Sequence, residues 1–185
     1  MPSFYPYLVS SLPALAFGAR PPFTADKFIE LCEDLIPEDD LKTLRSAVKI
    51  FPFEGCPPEK GGVLARWRSF DTMLRNELVK IRASRKKTDP AKYLRQDGCP
   101  ESAHTAHIAI NAYRKPSILE SEKSLDLERW GELEELSFGH YFDLSALIIY
   151  AHKLLILEKW DKINNSDNRR LLEDALAAPS QQRQV

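Results

Sequence analysis

The stretch LSALIIYAHKLLILEKWDKI, residues 144–163, is apolar around most of a helical circumference until Glu158. A helix of that kind has no face for water and must be covered on all sides. It therefore belongs at the centre of a bundle, and the rest of the chain must supply its cover. Asp143 is placed to cap it. No run reaches the roughly 18 consecutive apolar residues that read as a membrane span.

The remaining pattern is helical too. Thr24 can cap a helix carrying Phe28, Leu31, Cys32 and Leu35. Pro37 suits the first turn of the next, with Glu38, Asp39 and Asp40 favouring its positive end. FPFEGCPPEKGG (51–62) reads as a loop by its prolines and glycines. A long helix follows from Val63 to about Lys87, with Leu64, Trp67, Phe70, Leu74, Leu78 and Ile81 on one stripe. Asp89 and Pro90 start a short helix through Leu94. After a break at QDGCP come helices over 101–113 and from Pro116 to about Leu136, the latter with kinks expected near Ser124 or Gly131. A last helix follows Ser166 or Asp167, with Leu171, Leu172 and Leu176 apolar. The expectation is an all-α fold: a single irregular bundle of about seven to eight helices, with no βαβ alternation. Residues 1–20 form an extended, apolar N-terminal arm, 21–178 the helical domain and 179–185 a flexible tail. Residues 7–10 have strand-like composition but no evident partner.

The net charge of −1 over 185 residues advertises neither nucleic acid nor membrane. Its distribution is uneven. Residues 1–61 carry 6 basic and 9 acidic groups, 62–95 carry 10 and 3, and 96–136 carry 4 and 9. Arg68, Arg75 and Arg82 recur every seventh residue on the long helix, with Arg85 continuing the basic stretch. Such a stripe can meet phosphates or an acidic protein surface; acidic neighbours within the fold can equally neutralise it. The basic face carries no interleaved aromatics, which disfavours nucleic acid.

Three cysteines without C-x-x-C spacing imply reduced thiols in the cytoplasm. The apolar N-terminus lacks a positive charge before Arg20, and Pro6 and Pro13 interrupt it, against a signal peptide. Cys99, His104 and His107 form C-x4-H-x2-H, short of the four ligands of a structural zinc site. No phosphate loop, nucleophile elbow or H-E-x-x-H occurs. The expectation is thus no enzyme, no cofactor, no metal and no small-molecule substrate.

Three tryptophans share one frame: Leu64-x-Arg66-Trp67-x-x-Phe70, Leu127-x-Arg129-Trp130-x-x-Leu133 and Leu157-x-Lys159-Trp160-x-x-Ile163. On a helix the Leu, Trp and final apolar residue share a buried face. The basic residue falls on its border, stem covered and charge wet.

Two of these helices go further. Tyr150, Lys153, Leu154, Ile156, Leu157, Lys159 and Trp160 resemble a helix of the d-type, central-stalk subunit of V-type ATPases. Leu74, Arg75, Asn76, Leu78, Arg82 and Arg85 are similar to that family's Leu-Arg-Asn-x-Leu with an Arg-rich continuation. The N-terminal YPYLVSSLPAL looks like a bacterial family of unknown function encoded alongside V-type ATPase subunits. Together these stretches cover about 65 of the 185 residues. The stalk protein is considerably longer, with three similar helical parts. The resemblance implies a noncatalytic, ATPase-associated helical protein with V-type ATPase subunits as partners. The candidate contacts are the arm (Tyr5, Tyr7, Leu8) and the basic residues Arg68, Arg75, Arg82 and Arg85.

Overall fold

The apolar stretch does become the central helix. The computed structural model describes residues 4–49, 62–95 and 102–165. Among these it contains seven α-helices and no strand: α1 (Pro6–Ser11), α2 (Ala25–Glu33), α3 (Glu38–Lys49), α4 (Val63–Lys86), α5 (Ala103–Tyr113), α6 (Ile118–Leu136) and α7 (Leu144–Asn165). The fold is all-α. Helix α7 feeds two cores. Its Leu147, Ile148, Ala151 and Leu154 pack with α1, α2 and α3, around Phe28, Cys32 and Leu44. Its Ile149, Ile156, Leu157 and Trp160 pack with α4, α5 and α6, around Trp67, Leu74 and Leu133. Leu147 and Leu154 are fully enclosed, and burial of each stabilises the fold by about 2 kcal/mol relative to exposure.

The local signals for helix starts hold where they rest on a side-chain cap. Thr24 Oγ1 accepts from the Lys27 amide at 3.2 Å, and Asp143 Oδ1 from the Ala146 amide at 3.0 Å. Some boundaries differ. Pro37 lies just before α3, and its carbonyl accepts the Leu41 amide. The expected helix after Asp89 is a single 3-10 turn, Pro90–Lys92, with Asp89 as its cap. Ser117 rather than Pro116 opens α6, which runs through Ser124 and Gly131 as one unbroken helix. The loop expected over 51–61, the break at 96–100, the helix after Ser166 and the tail lie outside the described residues, as do Cys56 and Cys99.

The N-terminal arm is corrected in part: residues 6–11 fold into α1, while 12–20 carry no helix. Pro6 sits at the first helical position, where its fixed φ is already helical and its missing N–H costs nothing. The Tyr5 amide donates to the Phe142 carbonyl, and Phe4 forms an antiparallel bridge with Asp143. The Tyr5 hydroxyl donates to Asp40. Tyr5 and Leu8 are therefore core residues, enclosed by their own chain. Only Tyr7 of the three expected contacts faces solvent. Beyond α1 the chain crosses the bundle: Pro13 O accepts the Tyr150 hydroxyl at 3.0 Å, and Phe17 meets Trp130 edge-on at 5.7 Å.

Candidate functional site

The basic residues of α4 lead into the interior. Asp71 lies one helical turn before Arg75, and Arg75 Nε comes within 2.6 Å of its Oδ2. The Asp71 side chain is fully buried, so one cation at the edge of the helix does not suffice to hold its charge. The second comes from α6. Arg129 Nε donates to Asp71 Oδ1 at 3.1 Å, and its Nη1 donates to Asp126 Oδ1 at 2.8 Å. Asp126 in turn accepts from α7: Lys159 Nζ at 2.7 Å and Trp160 Nε1 at 2.9 Å, both on Oδ2. Lys159 also reaches Glu122 at 3.2 Å. Three carboxylates and three cations thus form one balanced network that ties α4, α6 and α7 together.

Spacing explains the local halves of this network. Asp71 and Arg75, Glu122 and Asp126, and Asp126 and Arg129 each share a helix face at three or four residues. Burial pulls the Arg129 guanidinium down, but Asp71 and Asp126 outweigh it and hold its pKa above the ordinary value. Arg129 is the basic residue of a tryptophan frame, where the pattern alone places it on a wet border. It is instead almost enclosed, because the neighbouring helix presents a buried carboxylate there.

Beside the network is a cavity of about 370 Å3, its walls including Trp67, Arg75, Asp126, His152, Ile156 and Lys159. His152 is 2% exposed. Burial, with the charge of Arg68 adding to it, pushes its pKa down to about 3, so the imidazole is neutral at pH 7. Its ring lies 5.4 Å from that of Trp67, whose buried indole N–H has no hydrogen-bond partner among the described residues. The described wall residues include no serine, threonine or cysteine. The Asp126 carboxylate on that wall is held by Arg129 and Lys159, and His152 adds a neutral imidazole. The network's evident chemistry is cohesion of three helices by paired charge.

The expected contact residues are divided by this geometry. Arg75 belongs to the internal network. Arg68 is partly buried, and burial lowers its pKa. Arg82 and Arg85 are exposed, together with Lys86 and Lys87. The stripe is therefore internal in its first half and open to solvent in its second. His104 and His107 both lie exposed on α5, with His107 against Asn111 at 3.2 Å. Among the described residues no group of His, Cys, Asp or Glu could hold a metal ion.

Asp71, Asp126 and Arg129 do not stand out in the sequence as site residues. The one signal they give is an acid one turn before a basic residue, inside an apolar stripe, on two helices. Asn76, part of the Leu-Arg-Asn-x-Leu motif, has a structural task of its own. Its side chain exchanges two 3.0 Å hydrogen bonds with the Arg95 backbone, fixing the segment after the 3-10 turn onto α4.

The family model described as "Protein of unknown function (DUF2764)" matches residues 98–174. That region holds α5, α6 and α7 and therefore Asp126, Arg129, Lys159 and Trp160, but not Asp71 or the N-terminal segment. No curated protein matches the chain, and no solved structure matches it. No helix among the described residues is long and apolar enough to cross a membrane.

Proposed function

We propose that this chain is a noncatalytic helical adaptor of a V-type ATPase, located in the cytoplasm and aiding assembly or coupling of the soluble and membrane sectors. The observation that carries this reading is the order of two helix motifs that resemble the central-stalk protein of those ATPases. Leu74-Arg75-Asn76-x-Leu78 lies on α4, and Tyr150 through Trp160 on α7. Their residues also share a physical task. Arg75, Lys159 and Trp160 meet in one charge network, Asn76 anchors the backbone after α4, and Tyr150 holds the N-terminal strap. A helical scaffold with its charges satisfied internally suits an adaptor better than a catalyst. Affinity capture of the tagged protein from its native cells tests this. ATPase subunits are expected in the eluate; a folded, soluble bait that recovers none overturns the proposal.

The second reading is a nucleic-acid-binding module on residues 66–87. The exposed cluster Arg82, Arg85, Lys86 and Lys87 favours it. Four phosphate contacts would give binding whose logarithm falls with log salt at a slope of about −3.6. A mobility-shift titration in low salt decides it, and no shift removes it.

A further inference from the structure

The end of the bundle where α6 turns into α7 carries an unusual surface. Phe138, Tyr141 and Phe142 lie in the connecting turn, and Phe4 and Tyr7 approach it from the N-terminal segment. All five are exposed, by 43% to 89%. The Phe4–Asp143 bridge and the bond from the Tyr5 amide to the Phe142 carbonyl join the two segments. These bonds set the exposed aromatics of the two segments side by side at one end of the bundle. A group of exposed large aromatics of this kind marks an interaction site more often than an ordinary monomer surface.

The patch is held in shape before any partner arrives. Asp143 caps α7 and pairs with His140 at 2.5 Å, and Gly139 takes a positive φ of 84° in the turn. Little ordering would be lost on docking.

Its rim is acidic. The last turn of α6 brings the exposed Glu135, whose carbonyl accepts the Phe138 amide. Asp143 stands behind Phe142. The first turn of α3 adds Glu38, Asp39 and Asp40, with Asp40 bound to the Tyr5 hydroxyl. Against these five carboxylates stand Lys42 beside Glu38 and Asp39, and His140 beside Asp143. The excess is negative, although the whole chain is nearly neutral. An anionic lipid surface is repelled by such a rim. An apolar face flanked by Lys or Arg is complementary to it.

We infer that this end docks a cationic amphipathic helix of a partner protein, its apolar face on the aromatics and its basic flanks on the carboxylates. The inference rests on the patch and its rim alone, so it and the ATPase reading stand or fall separately.

The test uses the full chain and a fluorescein-labelled, roughly 18-residue Leu/Lys amphipathic helix, with a Leu/Glu peptide of the same apolar face as counterpart. Fluorescence anisotropy should show the Leu/Lys peptide binding at least about tenfold more tightly than the Leu/Glu one. The double variant Phe138→Ser/Tyr141→Ser should lose about tenfold or more, and charge reversal by Asp39→Lys/Glu135→Lys should weaken binding as well. All four positions are exposed, and an unchanged thermal midpoint confirms that the variants fold. Equal affinity for the two peptides overturns the inference. So does undiminished binding by the Phe138/Tyr141 variant. Finding that this same variant abolishes self-association in sedimentation, or binding to phosphatidylserine vesicles, with no effect on the peptide overturns it in favour of a second copy or a membrane.

Discussion

The Nε of Arg129 on α6 lies 3.1 Å from Oδ1 of Asp71 on α4, and no part of the Asp71 side chain reaches solvent. This pair crosses between helices 58 residues apart in sequence. Removing the cation strands a buried charge, the costlier way to break such a pair. Arg129→Met should lower stability by about 3 kcal/mol, the low end of that range, since Arg75 and Lys159 still face the two carboxylates. Urea unfolding at pH 7 measures the deficit. A variant as stable as the parent would contradict this account of the network.

His152 makes stability depend on pH. Its pKa is depressed to about 3 by burial and by Arg68, whereas an unfolded histidine titrates near about 6.5. Below that value the unfolded chain binds a proton that the folded chain refuses. The neutral imidazole therefore contributes stability above pH 6.5, and that contribution falls by about 1.4 kcal/mol per pH unit as pH drops toward 3. Between pH 7 and pH 5 the loss is about 2 kcal/mol. His152→Leu should show a flatter profile over this interval, which lies above the ordinary carboxylate range. Parallel slopes for the two proteins would refute the assignment.

Features that depend on neighbours in sequence were legible. The caps at Thr24 and Asp143 act over three residues, and the cover demanded by residues 144–163 follows from their lack of a polar face. What could not be read depends on which helices meet. Periodicity treats a charge as outward, so Asp71 and Asp126 look solvated until α6 places Arg129 between them. Helix α1 was hidden for a different reason. Six residues are too few to display a helical period, so α1 gives no sign that Tyr5 and Leu8 point inward while Tyr7, between them, points out. The heptad spacing of Arg68, Arg75 and Arg82 is real. It could not reveal that the stripe leaves the protein interior partway along α4.

The three tryptophans share a sequence frame but not a hydrogen-bonding role. Trp160 donates to the buried Asp126 at 2.9 Å, Trp130 to the largely exposed Glu134 at 2.8 Å, and Trp67 to no described partner. Replacement by Phe removes similar volume at each site, so differences in cost report the bond. Trp160→Phe should be the most damaging, exceeding Trp67→Phe by about 1 to 2 kcal/mol, because a buried carboxylate loses a donor. Trp130→Phe should gain no such penalty, since water can replace the indole at Glu134. Denaturant midpoints at constant m-value rank the three. Equal costs would mean that the indole N–H of Trp160 contributes nothing.

Helix α4 ends on a residue poorly suited to its backbone. Lys87 adopts φ 52° and ψ 40°, with its amide bonded to the carbonyls of Ala83 and Ser84. This left-handed cap closes the helix, but a Cβ there is crowded by the following carbonyl at a cost of about 1 kcal/mol. Lys87 is exposed and its side chain joins neither core. Lys87→Gly should therefore stabilise by about 0.5–1 kcal/mol, while Lys87→Ala should not. Gly139 supplies the converse. It holds φ 84° with open space where a Cβ would stand, so Gly139→Ala costs backbone strain alone, about 1 kcal/mol. For a chain of this length these changes correspond to thermal shifts of about 1–4 °C, upward for Lys87→Gly and downward for Gly139→Ala. A Lys87→Gly variant no more stable than Lys87→Ala would show that α4 ends without left-handed strain in solution.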